Sequence, residues 1–135
     1  MSYAGDVTPR EAWEALRDDP NAVLVDVRTH AEWTYVGLPV LDELDRTVVP
    51  IEWVRYPDGA PNERFLESLR EVVDEGQPIY FLCRSGVRSA AAAEVATAAG
   101  LGPAFNISDG FEGQHDADGH RTRGGWKNSG LPWRQ

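Results

Sequence analysis

The chain contains a single cysteine, Cys83, at the head of the run Cys83-Arg84-Ser85-Gly86-Val87-Arg88-Ser89. A thiol becomes a nucleophile when positive charge or a helix N-terminus favours its ionised form. Arg84 and Arg88 both follow closely, and Gly86 lies between them. The chemistry such a run suggests is attack by sulfur on an electrophilic centre that carries negative charge, through a covalent intermediate. A lone cysteine is more often a small buried hydrophobe. Arginines on both sides of a glycine are poor company for a structural thiol, so the reactive reading leads.

The elements that must hold this run are legible on either side. Ile79-Tyr80-Phe81-Leu82 is a short apolar stretch with β-branched and aromatic members, the pattern of a buried strand. Ser89 to Ala99 is alanine-rich and closed by Gly100, the pattern of a helix with a glycine C-cap. The first amides of a helix have no partner within it, and its dipole puts partial positive charge at the same place. A loop bent round that end gathers several N–H groups into an anion nest, and Gly86 admits the backbone angles the bend needs. The expectation is a Cys83 that ionises more readily than a free thiol, cradled by Arg84, Ser85, Gly86, Val87, Arg88 and Ser89.

Residues 83 to 89 resemble the active-site loop of the rhodanese sulfurtransferase family. The resemblance implies that Cys83 takes a sulfane sulfur from thiosulfate or another persulfide donor. It would carry that sulfur as a persulfide and pass it to a thiol, cyanide or a protein acceptor, with no metal and no organic cofactor. The family loop runs six residues from cysteine to arginine, as Cys83 to Arg88 does. The related phosphatases use seven, which argues against the rival reading of a phosphatase or arsenate reductase on the same fold. A second alternative is a sulfur-relay or protein-binding module with little turnover of its own. The family also shows an Asp-x-Arg at the end of an early strand, matched here by Asp26-Val27-Arg28. Those two residues either satisfy the turn they sit in or orient the loop arginines from behind. The resemblance extends from about Thr8 to Trp133. It departs at Val36-Gly37-Leu38-Pro39-Val40, where the family usually reads Gly-His-Ile-x-Gly-Ala, and at the late Trp126.

With 135 residues, 41% of them apolar, the chain suits one domain with a true core. We read it as a single domain over 1–135 with loop insertions at 34–61 and 114–125. The formal net charge of −9 argues against nucleic acid or anionic membrane as a partner. The loop arginines would then form a local positive island. One cysteine permits no internal disulfide, and a free reactive thiol suits a reducing compartment. No basic-then-apolar leader and no apolar run of about 18 residues is present. The expected location is cytoplasmic.

In chain order, residues 1 to 7 read as a lead-in. Thr8-Pro9-Arg10-Glu11 is a capping box opening a helix that stops near Pro20. Ala22 to Val27 reads as a second buried strand, and Thr29 to Glu32 as a second capping box, with His30 exposed. Thr47 to Ile51 suits an edge strand, followed by a loop from Glu52 to Pro61 that could overhang the site. Asn62 is expected to cap an amphipathic helix whose apolar face is Phe65, Leu66, Leu69, Val72 and Val73, ended by Gly76. Ala104 to Ile107 is a last strand. The segment from His115 to Gly125 has the composition of a hairpin or loop, not the spacing of a metal motif. Strands alternating with helices give an α/β fold, a central parallel sheet with helices on both faces. Its ligands belong at the carboxyl ends of the strands.

Overall fold

A computed structural model describes residues 3–55, 58–115 and 121–135. Its centre is a five-stranded parallel sheet in the order β1 (Gly5–Val7), β6 (Ala104–Ile107), β5 (Ile79–Leu82), β2 (Val23–Asp26) and β4 (Val49–Pro50). The middle strand, β5, is buried on both faces. Ile79 and Phe81 face one layer, where α3 (Phe65–Val72) and α4 (Val87–Ala98) contribute Phe65, Leu69, Ala92, Ala93 and Ala96. Tyr80 and Leu82 face the other, with Ala12 and Leu16 of α1 (Pro9–Asp18) and with Phe111, Trp126 and Leu131. The alanines of α4 are small enough to let that helix lie close against β5 and β6.

Local signals fixed several boundaries. At α1, Thr8 Oγ1 accepts from the Glu11 amide at 3.1 Å while Glu11 Oε1 accepts from the Thr8 amide at 2.8 Å. The same reciprocal box opens α2 (His30–Tyr35), with Thr29 and Glu32 as its members. Each box contributes about 1 kcal/mol by satisfying amides that the helix leaves free. Two short antiparallel ladders complete the fold: β3 (Leu38–Pro39) with β9 (Trp133–Arg134), and β7 (Gln114–His115) with β8 (Arg121–Arg123).

The lead-in expected at residues 1 to 7 is in fact the edge strand β1. It pairs with β6, Asp6 opposite Asn106, a partnership that three residues of local sequence do not advertise. Helix α4 begins at Val87, two residues before the expected Ser89. Helix α3 begins at Phe65, because the Asn62 side chain accepts from the Arg64 amide at 3.1 Å and forms a turn ahead of the helix. That helix also ends earlier than the apolar spacing implied. The backbone becomes extended at Val73, so Val73 turns into the core and Val72 is left exposed. Gly76 sits in the turn beyond it, not at the helix end.

Candidate active site

The site lies where β5 stops and α4 starts, at the carboxyl edge of the sheet. Cys83 directly follows β5 and is almost wholly buried, 1% exposed. Its sulfur is not surrounded by hydrocarbon alone. The Gly86 amide donates to Sγ at 3.1 Å, and Ser89 Oγ lies 3.2 Å from it. Gly86 has φ +109°, and a Cβ there would run into the Ser108 carbonyl. Only glycine can both make the bend and let the loop rest on the segment after β6. That segment grips the loop from below. The Phe111 amide donates to the Cys83 carbonyl at 2.8 Å and the Glu112 amide to the Arg84 carbonyl at 3.0 Å.

Above the sulfur opens a cavity of about 400 Å³ lined by Glu32, Cys83, Arg84, Ser85, Val87 and Arg88. Val87 stands at its rim with 78% of its surface exposed. The two arginines are not the free cations that a positive island requires. Arg88 is held by Glu32 in a two-pronged ion pair, Nη1 to Oε1 at 2.7 Å and Nη2 to Oε2 at 2.9 Å. Arg84 Nε lies 3.5 Å from Glu112 Oε2. Burial pushes the Glu32 carboxyl up, but hydrogen bonds from Arg88 and the Thr29 amide, with the charges of Arg88 and Arg28, outweigh it and hold it below the ordinary range. Arg88 is raised, first by its hydrogen bond to Glu32.

Asp26 and Arg28 sit behind the loop as an ion pair that is fully buried, 0% exposed on both sides. Arg28 Nη2 donates to Asp26 Oδ2 at 2.7 Å and to the Gly37 carbonyl at 2.7 Å, and Nε donates to Asp26 Oδ1 at 3.0 Å. The Arg28 amide also donates to Asp26 Oδ1 at 3.1 Å, so the aspartate does satisfy its own turn. These bonds do not reach the loop arginines. The link is indirect: the guanidinium stacks 4.3 Å from the centroid of Phe111, the residue whose amide anchors the Cys83 carbonyl.

Of the loop residues singled out in the sequence, Cys83, Gly86 and Ser89 meet at the sulfur. Arg84, Ser85, Val87 and Arg88 line the cavity. His30 is exposed. The described residues of the Glu52 to Pro61 loop do not line this cavity. That loop folds on itself, with the Arg55 amide donating to the Ala60 carbonyl at 2.8 Å and Trp53 packed edge-on to Phe65. Among the described residues no three ligating side chains cluster as a metal site would require; Asp116, Asp118 and His120 lie outside them. Sequence reading missed Glu32, whose helix-capping signature hid its second role. It also missed Glu112 and Asn106, which carry no local motif and reach the site only through the fold.

A thiol at the floor of a six-residue loop, on this sheet, defines a rhodanese-like domain. Comparison with known proteins agrees: the model of the STR4 middle-domain family matches residues 4–135, and the chain belongs to this rhodanese-like family. It is 39% identical over 128 residues to an uncharacterized protein of Rickettsia conorii, covering 95% of each chain. A chloroplastic protein of rice named thylakoid rhodanese-like is 33% identical over 96% of this chain, which spans 25% of that protein. The thiosulfate sulfurtransferase GlpE of Actinobacillus pleuropneumoniae is 25% identical over 94% of this chain and 90% of its own. Among solved structures, Rv0390 of M. tuberculosis superposes with a TM-score of 0.92 at 58% identity, covering 99% of both chains.

Proposed function

We propose that this domain is a sulfurtransferase that carries sulfane sulfur on Cys83. The observation that carries the reading is the sulfur itself: buried, met by the Gly86 amide and the Ser89 hydroxyl, and facing a cavity with two guanidinium groups in its wall. In the first half-reaction the Cys83 thiolate attacks the outer sulfur of the donor. A new S–S bond forms, the donor's S–S bond breaks, and its electron pair leaves with sulfite or with a thiolate. The outer sulfur of the persulfide would then carry the negative charge into the loop, where the Gly86 amide already points at the sulfur and neighbouring amides at the start of α4 would join it. In the second half-reaction an acceptor nucleophile takes that outer sulfur, and the electron pair of the S–S bond returns to Cys83. Both halves balance without an external oxidant or reductant.

The paired arginines favour one donor class over another. Glu32 and Glu112 formally cancel Arg88 and Arg84, so the cavity offers a dianion such as thiosulfate less than its arginines suggest. The same balance disfavours a phosphate ester and opposes the phosphatase alternative. A thiol persulfide, with one negative charge at most, fits better, and the exposed Val87 at the rim suits the body of a small or protein-borne thiol. The test is to incubate the protein with thiosulfate or a low-molecular-weight persulfide, record the intact mass, and then add cyanide and read thiocyanate. A gain of one sulfur atom, absent from Cys83→Ser, is expected, with the persulfide the faster donor. No gain from either donor would overturn the reading.

A further inference from the structure

The Ser89 hydroxyl is claimed from two sides. It lies 3.2 Å from Cys83 Sγ and 2.6 Å from Asn106 Oδ1, and it has one proton to give. Which acceptor receives that proton depends on which way the Asn106 amide faces. Asn106 is buried in β6, and its Nδ2 donates to Asp6 Oδ1 at 3.0 Å. The same Asp6 oxygen accepts from the Tyr3 hydroxyl at 2.7 Å. An ionised carboxylate only accepts, so Asp6 requires the NH₂ end of Asn106 and turns the carbonyl end toward Ser89. Oδ1 has no proton of its own. The 2.6 Å contact is therefore Ser89 donating to Asn106, and what Ser89 presents to the sulfur is a lone pair.

We propose that Asp6 and Asn106 are positioning residues that hold the Ser89 proton away from Cys83. With a thiol at position 83 the arrangement is satisfied, because S–H can donate to Ser89 Oγ. With a thiolate it is frustrated: either the sulfur goes without the hydroxyl's proton, or Ser89 rotates and leaves two lone pairs opposed at 2.6 Å. The frustration ends when the sulfur is loaded, since the charge then moves to the outer atom and the inner sulfur needs no donor. The relay thus keeps the unloaded thiolate under-solvated and more nucleophilic, and favours the loaded state. The proton placement concerns Cys83 in any chemistry; its consequence for loading rests on the sulfurtransferase reading above.

The test is the pH profile of Cys83 alkylation by iodoacetamide. The charged groups around the sulfur are Arg84 and Arg88 from the loop, Glu32 from α2, Asp26 and Arg28 from the end of β2, Glu112 after β6, and Asp6 from β1. All but Asp6 are common to every variant. Asn106→Ala frees the Ser89 proton for the thiolate. The half-maximal pH should fall by roughly one unit, the worth of one neutral hydrogen bond. The plateau rate should fall about threefold, because nucleophilicity drops with basicity. Asp6→Ala, at an exposed position that does not threaten the core, should move both in the same direction by less. Asp6→Asn, which keeps an acceptor oxygen and loses the charge, should restore the wild-type profile. In a Ser89→Ala background, Asn106→Ala should do nothing further. An unchanged or raised half-maximal pH, or a shift that persists without Ser89, would overturn the proposal. Sulfur loading from a persulfide donor, followed by mass at a pH above both half-maximal values, should show the same threefold slowing. If wild-type protein never loads while the alkylation pattern holds, the relay stands and the functional reading falls.

Discussion

Glu32 does three things with one carboxylate: it caps α2, holds Arg88 with both oxygens, and lines the cavity above Cys83. Glu32→Gln keeps the capping box, which glutamine also closes, and releases Arg88 from an ion pair. Glu112→Gln releases Arg84 without touching any cap. Each should raise kcat/KM for thiosulfate by about threefold to tenfold, in line with ~1 kcal/mol for one part-exposed charge. Activity with a singly charged persulfide should change by only about twofold to threefold, since the Coulomb energy halves with the charge. Steady-state kinetics with both donors checks this, and an equal change for both would show that the carboxylates do not discriminate by charge. At this scale the sequence told half the story. The run from Cys83 to Ser89 is contiguous, so its chemistry can be read directly. Its neutralising partners come from α2 and from beyond β6, and no spacing rule links them to the cysteine.

The elements behind the loop hold it in place. The Asp26–Arg28 pair at the end of β2 is entirely buried, so its mutual attraction matters less than the penalty of removing one partner. Asp26→Asn keeps one acceptor oxygen but removes the countercharge and the second oxygen, leaving Arg28 charged in the interior with only neutral partners, the amide oxygen and the Gly37 carbonyl. We expect a loss of about 3–5 kcal/mol, seen as a lower urea midpoint at unchanged slope. A loss under about 1 kcal/mol would mean that solvent reaches Arg28. Both capping boxes were legible because each is complete within four residues of sequence. Strand β1 was not, since its role depends on Asn106, 100 residues away. The end of α3 failed for a subtler reason: the apolar spacing continues through Val72 and Val73, but only a change of backbone angle decides which of them enters the core.

For the molecule as a whole, acid is the informative stress. The folded-state pKa of Glu32 lies below its unfolded value, so its ion pair stabilises the fold at pH above the ordinary carboxylate range near 4.3. That contribution fades as pH falls through the lowered value and the carboxyl takes a proton. Between neutral pH and pH 3, wild type should lose more stability than Glu32→Gln, and the two should converge at the acid end. Urea titrations at stepped pH check this, and parallel curves would show that Glu32 is not among the groups that link folding to protons. Among the described residues no helix is long and apolar enough to cross a membrane. The fold class was legible because alternating strand and helix signals leave few ways to build a sheet. The ladder joining β3 to β9 was not, because it pairs two-residue strands far apart in the chain.

One tie runs from the active loop to Pro132, some fifty residues further along the chain. The Cys83 carbonyl is held by Phe111, the carbonyl of neighbouring Gly110 accepts from the Trp126 amide at 2.8 Å, and the Trp126 indole donates to the Pro132 carbonyl at 2.7 Å. During synthesis, then, a nascent polypeptide that has already delivered its cysteine still lacks the last wedge beneath it. The nucleophile would acquire its finished setting only once residues 126 to 132 have cleared the ribosome, and until then its loop would rest on an unfinished scaffold.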